Sequence, residues 1–317
     1  MYRVSMNKEK PFLTGKYTIP PPQISMDESS PADSAFSFSD VEFPIYQTNY
    51  QSIRNDDLSK YYGVTTGYEG LESKITKFLI DGLTRDCPDA FSKEMNDTDL
   101  SLICHPAQER LKFDSNYHLT ESVKQYEAEL DAIASLIQED LAVVHIEEDG
   151  NNSLVAAHVT APNYWNPGYI LGKNLFEIHA VVPGLPPIGP DWASLLAKKE
   201  SRVVQMQWGV TTDDRLNHHP DRPANWSGAD DEWSGRKFEP DNPSLYVRVE
   251  RQIFIGFGDC FLFIIRTYFH DCKTLQDDEK TQLAEAIKGM DSETRRYKGV
   301  ADEQNDAVRK WLTNPQK

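Results

Sequence analysis

The stretch LYVRVERQIFIGFGDCFLFIIRTYF, residues 245–269, decides the fold class of this chain. Two runs rich in Val, Ile and Phe, Leu245 to Phe257 and Cys260 to Phe269, meet across Gly256-Phe257-Gly258-Asp259. β-Branched and aromatic runs on either side of a glycine turn predict a pair of antiparallel strands. A second pair lies upstream, where Ala142 to Ile146 runs into Asp149-Gly150-Asn151 and then Leu154 to Val159. Between the hairpins, Leu175, Ile178 and Val182 give Gly172 to Val182 a helical pattern, which the proline-rich stretch Pro183 to Pro190 ends. Residues 212–243 follow as a long polar loop, a length that in a compact domain is usually functional.

Helices are expected on both flanks. Leu71, Ile75, Phe78 and Leu79 share one face within Asp57 to Phe91. Tyr126, Leu130, Ile133, Ile137 and Leu141 predict a long helix over Thr120 to Leu141, with Thr120 as its N-cap. Asp278 to Gly289 and Ala301 to Leu312 read as closing helices. Helices, hairpin, helix, loop, hairpin and helices in that order make an α+β chain with an antiparallel sheet, not an alternating βαβ chain. A helix laid over such a sheet would enclose a cavity suited to a flat cofactor. Residues 1–45, rich in Pro, Ser and Asp, are expected to form an extended or partly disordered arm, and 46–317 a single domain.

Of the 317 residues, 39% are hydrophobic and 26% charged, as in a folded globular protein. The net charge of −17 argues against a nucleic-acid surface and equally against docking on anionic lipid. The start lacks a signal peptide's apolar segment, and the apolar run Ile253 to Ile265 is interrupted by Gly256, Gly258 and Asp259. Cys87, Cys104, Cys260 and Cys272 form no C-x-x-C pair. The expectation is a cytoplasmic protein with reduced thiols, outside any membrane.

Phosphate-cradling glycine loops, a nucleophile elbow and H-E-x-x-H are all missing, so nucleotide-binding, hydrolase and metalloprotease readings lose their usual support. Among the histidines, His218 and His219 sit beside Asp213, Asp214 and Asp221, which fits a metal site or, more commonly, a solvated loop. His145 and His158 read as hydrogen-bonded histidines in strands. His179 lies on a helix near Trp165, Tyr169 and Phe176, which suits either a core histidine or one presented to a haem iron. Alternation places Arg248, Glu250 and Gln252 on one strand face and Val249, Arg251 and Ile253 on the other. Charges on both faces suit either an ion pair such as Glu250 with Arg266, or arginines held against an anion.

Several of these segments, taken together, resemble the α subunit of haem-dependent oxidative N-demethylases. Gly172 to Pro183, with Ile178-His179 and Val182-Pro183, is similar to that family's Ile-His-x-x-Val-Pro signature. Pro162 to Pro167, Gln138-Glu139-Asp140-Leu141, Val247 to Ile253, Phe263 to Tyr268 and Tyr297-Lys298-Gly299 resemble further elements in the same order. Pro11-Phe12 and Gly15-Lys16-Tyr17 are similar to its opening. The resemblance implies a PAS-like antiparallel sheet with flanking helices enclosing a haem b pocket, with His179 on the iron. It implies oxidation of a small methylated amine such as dimethylamine by O₂, releasing formaldehyde. Electrons from NADPH would arrive through separate subunits carrying flavin and an iron–sulfur centre, where tetrahydrofolate accepts the formaldehyde. On this reading His179, Arg248 and Trp208 are the cofactor-binding candidates, and Glu250, Arg251 and Arg266 the catalytic ones. Glu250 would hold the protonated amine, and the arginines would meet propionates or polarise bound oxygen. The chain departs from the family at Gln205-Met206-Gln207-Trp208, where members read Arg-x-Asn-Trp. A haem-binding sensor or binding module without turnover is the alternative, and a haem-free homologue a third.

Overall fold

The computed structural model describes residues 10–21, 23–27, 33–96, 99–186, 190–223, 226, 228, 233 and 237–314. At its centre, strands β10 (Tyr246–Gly256) and β11 (Cys260–Asp271) pair antiparallel from Tyr246↔Asp271 to Gly256↔Phe261. Gly258 takes a φ of +103° in the turn between them, a backbone region that side chains with a Cβ rarely enter. The free edge of β11 pairs with β7 (Glu139–Ile146), and β7 pairs with β8 (Asn152–His158) across the Asp149-Gly150 turn. The free edge of β10 pairs with β9 (Arg202–Thr211). Short strands β1 (Ile24–Ser25) and β2 (Tyr62–Val64) extend the two ends, giving the order β1-β9-β10-β11-β7-β8-β2 with every pair antiparallel.

Each face of this sheet has its own cover. On one face Ala142, Val144, Phe254 and Phe261 pack under helices α4 (Pro167–Ile170), α5 (Leu175–His179) and α6 (Pro190–Ala197). On the other, Leu141, Val143, Ile253, Ile255, Leu262 and Ile264 meet α2 (Glu72–Asp86) and α3 (Glu129–Ala134). At that face's far end Val247, Val249 and Trp208 pack on α7 (Asp277–Lys288) and α9 (Asp302–Thr313), with α8 (Ser292–Tyr297) between those helices in the chain. Helix α1 (Phe43–Asp56) completes the cover with Phe43, Tyr46, Tyr50 and Ile53 buried. The α+β class with an antiparallel sheet and flanking helices is therefore as read from the hairpins. Among the described residues no helix is long and apolar enough to cross a membrane. All four cysteines are free and buried.

The expected helix over Thr120 to Leu141 is corrected by the structure. That span holds the end of β6 (Leu119–Glu121), the short α3 and the start of β7. The three-and-four spacing arises because Leu130 and Ile133 from the helix, Ile137 from the bend after it and Leu141 from the strand are all buried in the same core. A strand buried on both faces shows no alternation for periodicity to detect. The interruption is polar: buried Gln138, Glu139 and Asp140 each serve a distant partner. A second sheet of β3 (Phe91–Met95), β4 (Leu100–Cys104), β5 (Glu109–Phe113) and β6 was not anticipated from the pattern.

In residues 1–45, Phe12 and Phe36 are almost wholly buried and β1 hydrogen-bonds to β9, while residues 1–9, 22 and 28–32 lie outside the described residues. A row of backbone contacts fastens 34–42 to the body. Asp86 accepts from the Ala35 and Phe36 amides, Glu139 from Ser37, and Gln138 from Ser39.

Candidate functional site

The alternation of β10 sorts the charged candidates. Arg248, Glu250 and Gln252 project from the face that α4–α6 cover, and β9 adds Gln207 opposite Glu250 and Gln205 opposite Gln252. Glu250 accepts from Arg248 Nε at 3.3 Å and from Gln252 Nε2 at 3.0 Å. Gln252 in turn accepts from Gln205 at 2.7 Å, so the polar side chains form one chain across two strands. Gln205 also accepts from Gln23, and Gln207 from Lys298 at 3.2 Å. This is where the departure from the family's Arg-x-Asn-Trp falls. Two neutral amides stand beside Glu250 on the face that carries His179's helix.

Arg248 is 2% exposed and is committed to its own protein. Nη1 donates to Leu216 O at 2.9 Å, and Nη2 donates to Ala161 O and to Thr267 Oγ1. It thus clamps the segments around 161 and 216 down onto the sheet, and its charge is balanced by Glu250.

Arg251, Arg266 and Trp208 lie on the opposite face. Arg251 donates to Ser34 O at 2.7 Å. Arg266 pairs with Glu42 at 2.9 Å, approaches Glu139 at 3.8 Å and stacks over the Tyr46 ring. Trp208 packs edge-on against Phe12 and Tyr17. The expected ion pair between Glu250 and Arg266 does not form. Glu250 stands opposite Thr267 while Arg266 stands opposite Arg251, so the sheet itself lies between the two charges. A group held by His179 is likewise separated by the sheet from Arg251, Arg266 and Trp208.

His179 ends α5, a helix of five residues that begins at an Asn174 N-cap with a reciprocal bond to Glu177. Leu175 and Ile178 join the apolar cluster of Phe254 and Phe261, with Trp165, Trp192 and Phe263 around them. His179 Nδ1 lies 2.8 Å from Leu175 O, four residues back. A carbonyl oxygen only accepts, so Nδ1 carries the proton and Nε2 keeps its lone pair. Burial pushes the imidazole pKa down, which favours the neutral ring that a metal requires. Such a neutral imidazole, whose Nε2 has no hydrogen-bond partner among the described residues, has the chemistry that would ligate a haem iron.

The adjacent histidines of the polar loop are not solvent-exposed, which corrects the commoner reading of that motif. His218 and His219 are each 1% exposed. His218 stacks on Tyr164 with ring centroids 5.1 Å apart, and its Nε2 pairs with Asp213 at 2.8 Å. Burial alone would raise the Asp213 carboxyl, but His218 and Arg215 hold it well below the usual range. Among the described residues, no group of three His, Cys, Asp or Glu side chains is arranged to hold a metal ion. Sequence reasoning missed the burial of His218 on the half-buried Asp213 because the polar composition of 212–243 masks it. His158 is the hydrogen-bonded core histidine expected, with Nε2 at 3.2 Å from the buried Asp131. His145, on β7, is only partly buried.

No curated protein matches the chain. Residues 39–308, which include both hairpins, α5 and the row from Arg248 to Gln205, match one family model. Its description is haem-dependent oxidative N-demethylase, alpha subunit-like, which carries a haem cofactor, an oxidative demethylation and partner subunits at the level of the family. The chain belongs to the family of haem-dependent oxidative N-demethylase alpha subunit-like proteins.

Proposed function

We propose that this chain is the haem-bearing catalytic subunit of a cytoplasmic oxidative N-demethylase acting on a small methylated amine of the dimethylamine kind. His179 holds haem b through Nε2, in a PAS-like domain built on strands β7 to β11. The observation that carries the reading is the Nδ1–H bond of His179 to Leu175 O, which leaves the Nε2 lone pair available on a helix whose Leu175 and Ile178 pack in an aromatic-rich cluster. When bound, haem supplies the oxygen chemistry that no side chain here provides. In the overall reaction one oxygen atom of O₂ leaves with the methyl carbon as formaldehyde. The other leaves as water, with electrons from NADPH arriving through partner subunits that carry flavin and an iron–sulfur centre.

The chain's own residues have narrower tasks. Glu250 is the one anionic side chain of the Arg248–Gln205 row, and it offers the protonated amine a charge-assisted acceptor. Gln205, Gln207 and Gln252 line the same strip with neutral donors and acceptors. Arg248 holds the segments at 161 and 216 in place and pairs with Glu250. The PAS-like reading draws support from the insertion of α4–α6 between β8 and β9, on one face of the sheet. A haem-binding module without turnover is favoured by one feature, that both Glu250 oxygens already accept internal hydrogen bonds.

The absorption spectrum of the purified chain, oxidised and then reduced with dithionite and CO, tests the haem reading. A Soret band is expected, and His179→Ala loses the histidine-ligated form. Native ligation in that variant removes His179 from the role. Formaldehyde release from dimethylamine with NADPH and the partner subunits separates the enzyme from the silent module.

A further inference from the structure

We propose that Asn152, on β8, is the positioning residue of the His179 imidazole, an inference that rests on the reading of His179 as the haem ligand. A helix of five residues has no stability of its own, since nucleation costs more than so few hydrogen bonds return. Its geometry must be imposed from outside. Part of the fastening is backbone: Leu154 N donates to Lys173 O at 2.9 Å, and Gly172 N donates to Leu154 O at 2.8 Å. Both tie the approach to α5 onto strand β8.

Leu175 is where the fastening reaches the histidine. As the first residue of the helix, its amide has no intrahelical acceptor. The Asn174 side chain is engaged with the amide of Glu177 and leaves the Leu175 amide unserved. Asn152 Oδ1 accepts it at 2.9 Å. The carbonyl of the same residue, Leu175 O, is the acceptor that holds His179 Nδ1. Asn152 is itself held in register against Ile146 of β7. The connection therefore runs from the sheet through Asn152 to Leu175, and from Leu175 to the ring. Both bonds act on one residue, so releasing the amide lets the Leu175 carbonyl swing away from the ring. The proton is then shared between the two ring nitrogens, and the nitrogen that must keep a lone pair is partly blocked.

The test uses the full chain free of haem, with ¹⁵N-labelled histidine, and long-range ¹H–¹⁵N correlations recorded where the His179 ring is neutral. The wild-type ring is expected as the Nδ1–H tautomer. Asn152→Ala is expected to show a mixture, while Asn152→Asp, which keeps an acceptor at the same reach, restores the single tautomer. A wild-type ring with its proton on Nε2, or an unchanged tautomer in Asn152→Ala, overturns the proposal. Amide exchange at Val143 and Val155 reports whether the sheet is intact. If Asn152→Ala does not fold, Asn152→Thr, compatible with a strand and too short to reach Leu175, is read the same way. In the loaded chain, Asn152→Ala is expected to weaken haem retention about 10–100-fold. Retention equal to wild type counts against it. Histidine-type ligation persisting in His179→Ala sinks the ligand reading alone, because the tautomer result is obtained without haem.

Discussion

Replacing Arg266 by Met separates a fastening role from a catalytic one. The side chain is 2% exposed, and Met fills most of its volume without charge. Three effects decide the magnitude. Its bond to Glu42 at 2.9 Å involves a partner 24% exposed, so losing it costs about 1 kcal/mol or less. Glu139, 2% exposed at its side chain, loses its nearest cation, and stranding a buried charge costs about 3–5 kcal/mol. Against this, Arg266 Nε and Nη1 are buried without hydrogen-bond partners among the described residues, and removing them returns about 1–3 kcal/mol. The net expectation is a loss of about 2–4 kcal/mol, read from urea midpoints by far-UV circular dichroism.

The pH dependence sharpens the test. Burial pushes the Glu139 carboxyl up even beside Arg266, and Arg266→Met removes the strongest opposing charge. A carboxyl raised on folding favours the native state below its unfolded pKa of about 4.3 and penalises it as pH rises through the folded value. The deficit of Arg266→Met is therefore largest near neutrality and shrinks toward pH ~4. Adding Glu139→Gln removes the stranded charge and recovers part of the loss. Haem content per folded chain should remain that of wild type, since Arg266 faces away from His179 across the sheet. A variant that is as stable as wild type but cannot retain haem refutes the fastening argument.

Gly299 takes a φ of +97°, and a Cβ there would stand 1.9 Å from Val210 O, beside the 2.7 Å bond from Val210 N to Lys298 O. Gly299→Ala should cost at least about 1–3 kcal/mol in urea midpoint, and a change below ~0.5 kcal/mol contradicts the geometry. Asp131 is fully buried, and though burial alone would raise its carboxyl, His158, the Glu127 amide and Arg54 hold it well below the usual range. Its stabilisation is complete above the unfolded pKa of about 3.9 and drains away as pH falls toward the folded value. Asp131→Asn should flatten the acid limb of stability below pH ~4, as well as lowering the neutral plateau; an acid limb as steep as wild type rules this out.

Runs of Val, Ile and Phe broken by glycine were enough to place both hairpins, because each strand pair is local in sequence and its turn demands particular residues. Alternation also put Arg248, Glu250 and Gln252 on one face correctly, since a strand's period of two needs no partner to be read. The helical pattern around His179 was also local, although the helix is confined to Leu175–His179 within the expected Gly172 to Val182, and its Asn174 cap was not read from the sequence. What the sequence could not decide was which face of β10 meets which layer, because that is fixed by the packing of α4–α6 on one side and of α1–α3, α7 and α9 on the other. Glu250 and Arg266, plausible partners on paper, ended up on opposite sides of the sheet for this reason. Burial of His218 beside Asp213 and the β-structure of 91–121 were invisible for the same cause: polar and weakly periodic segments take their environment from distant chain. The orientation of the His179 ring was also a tertiary decision, made by an amide of Leu175 that reaches back to Asn152 on the sheet.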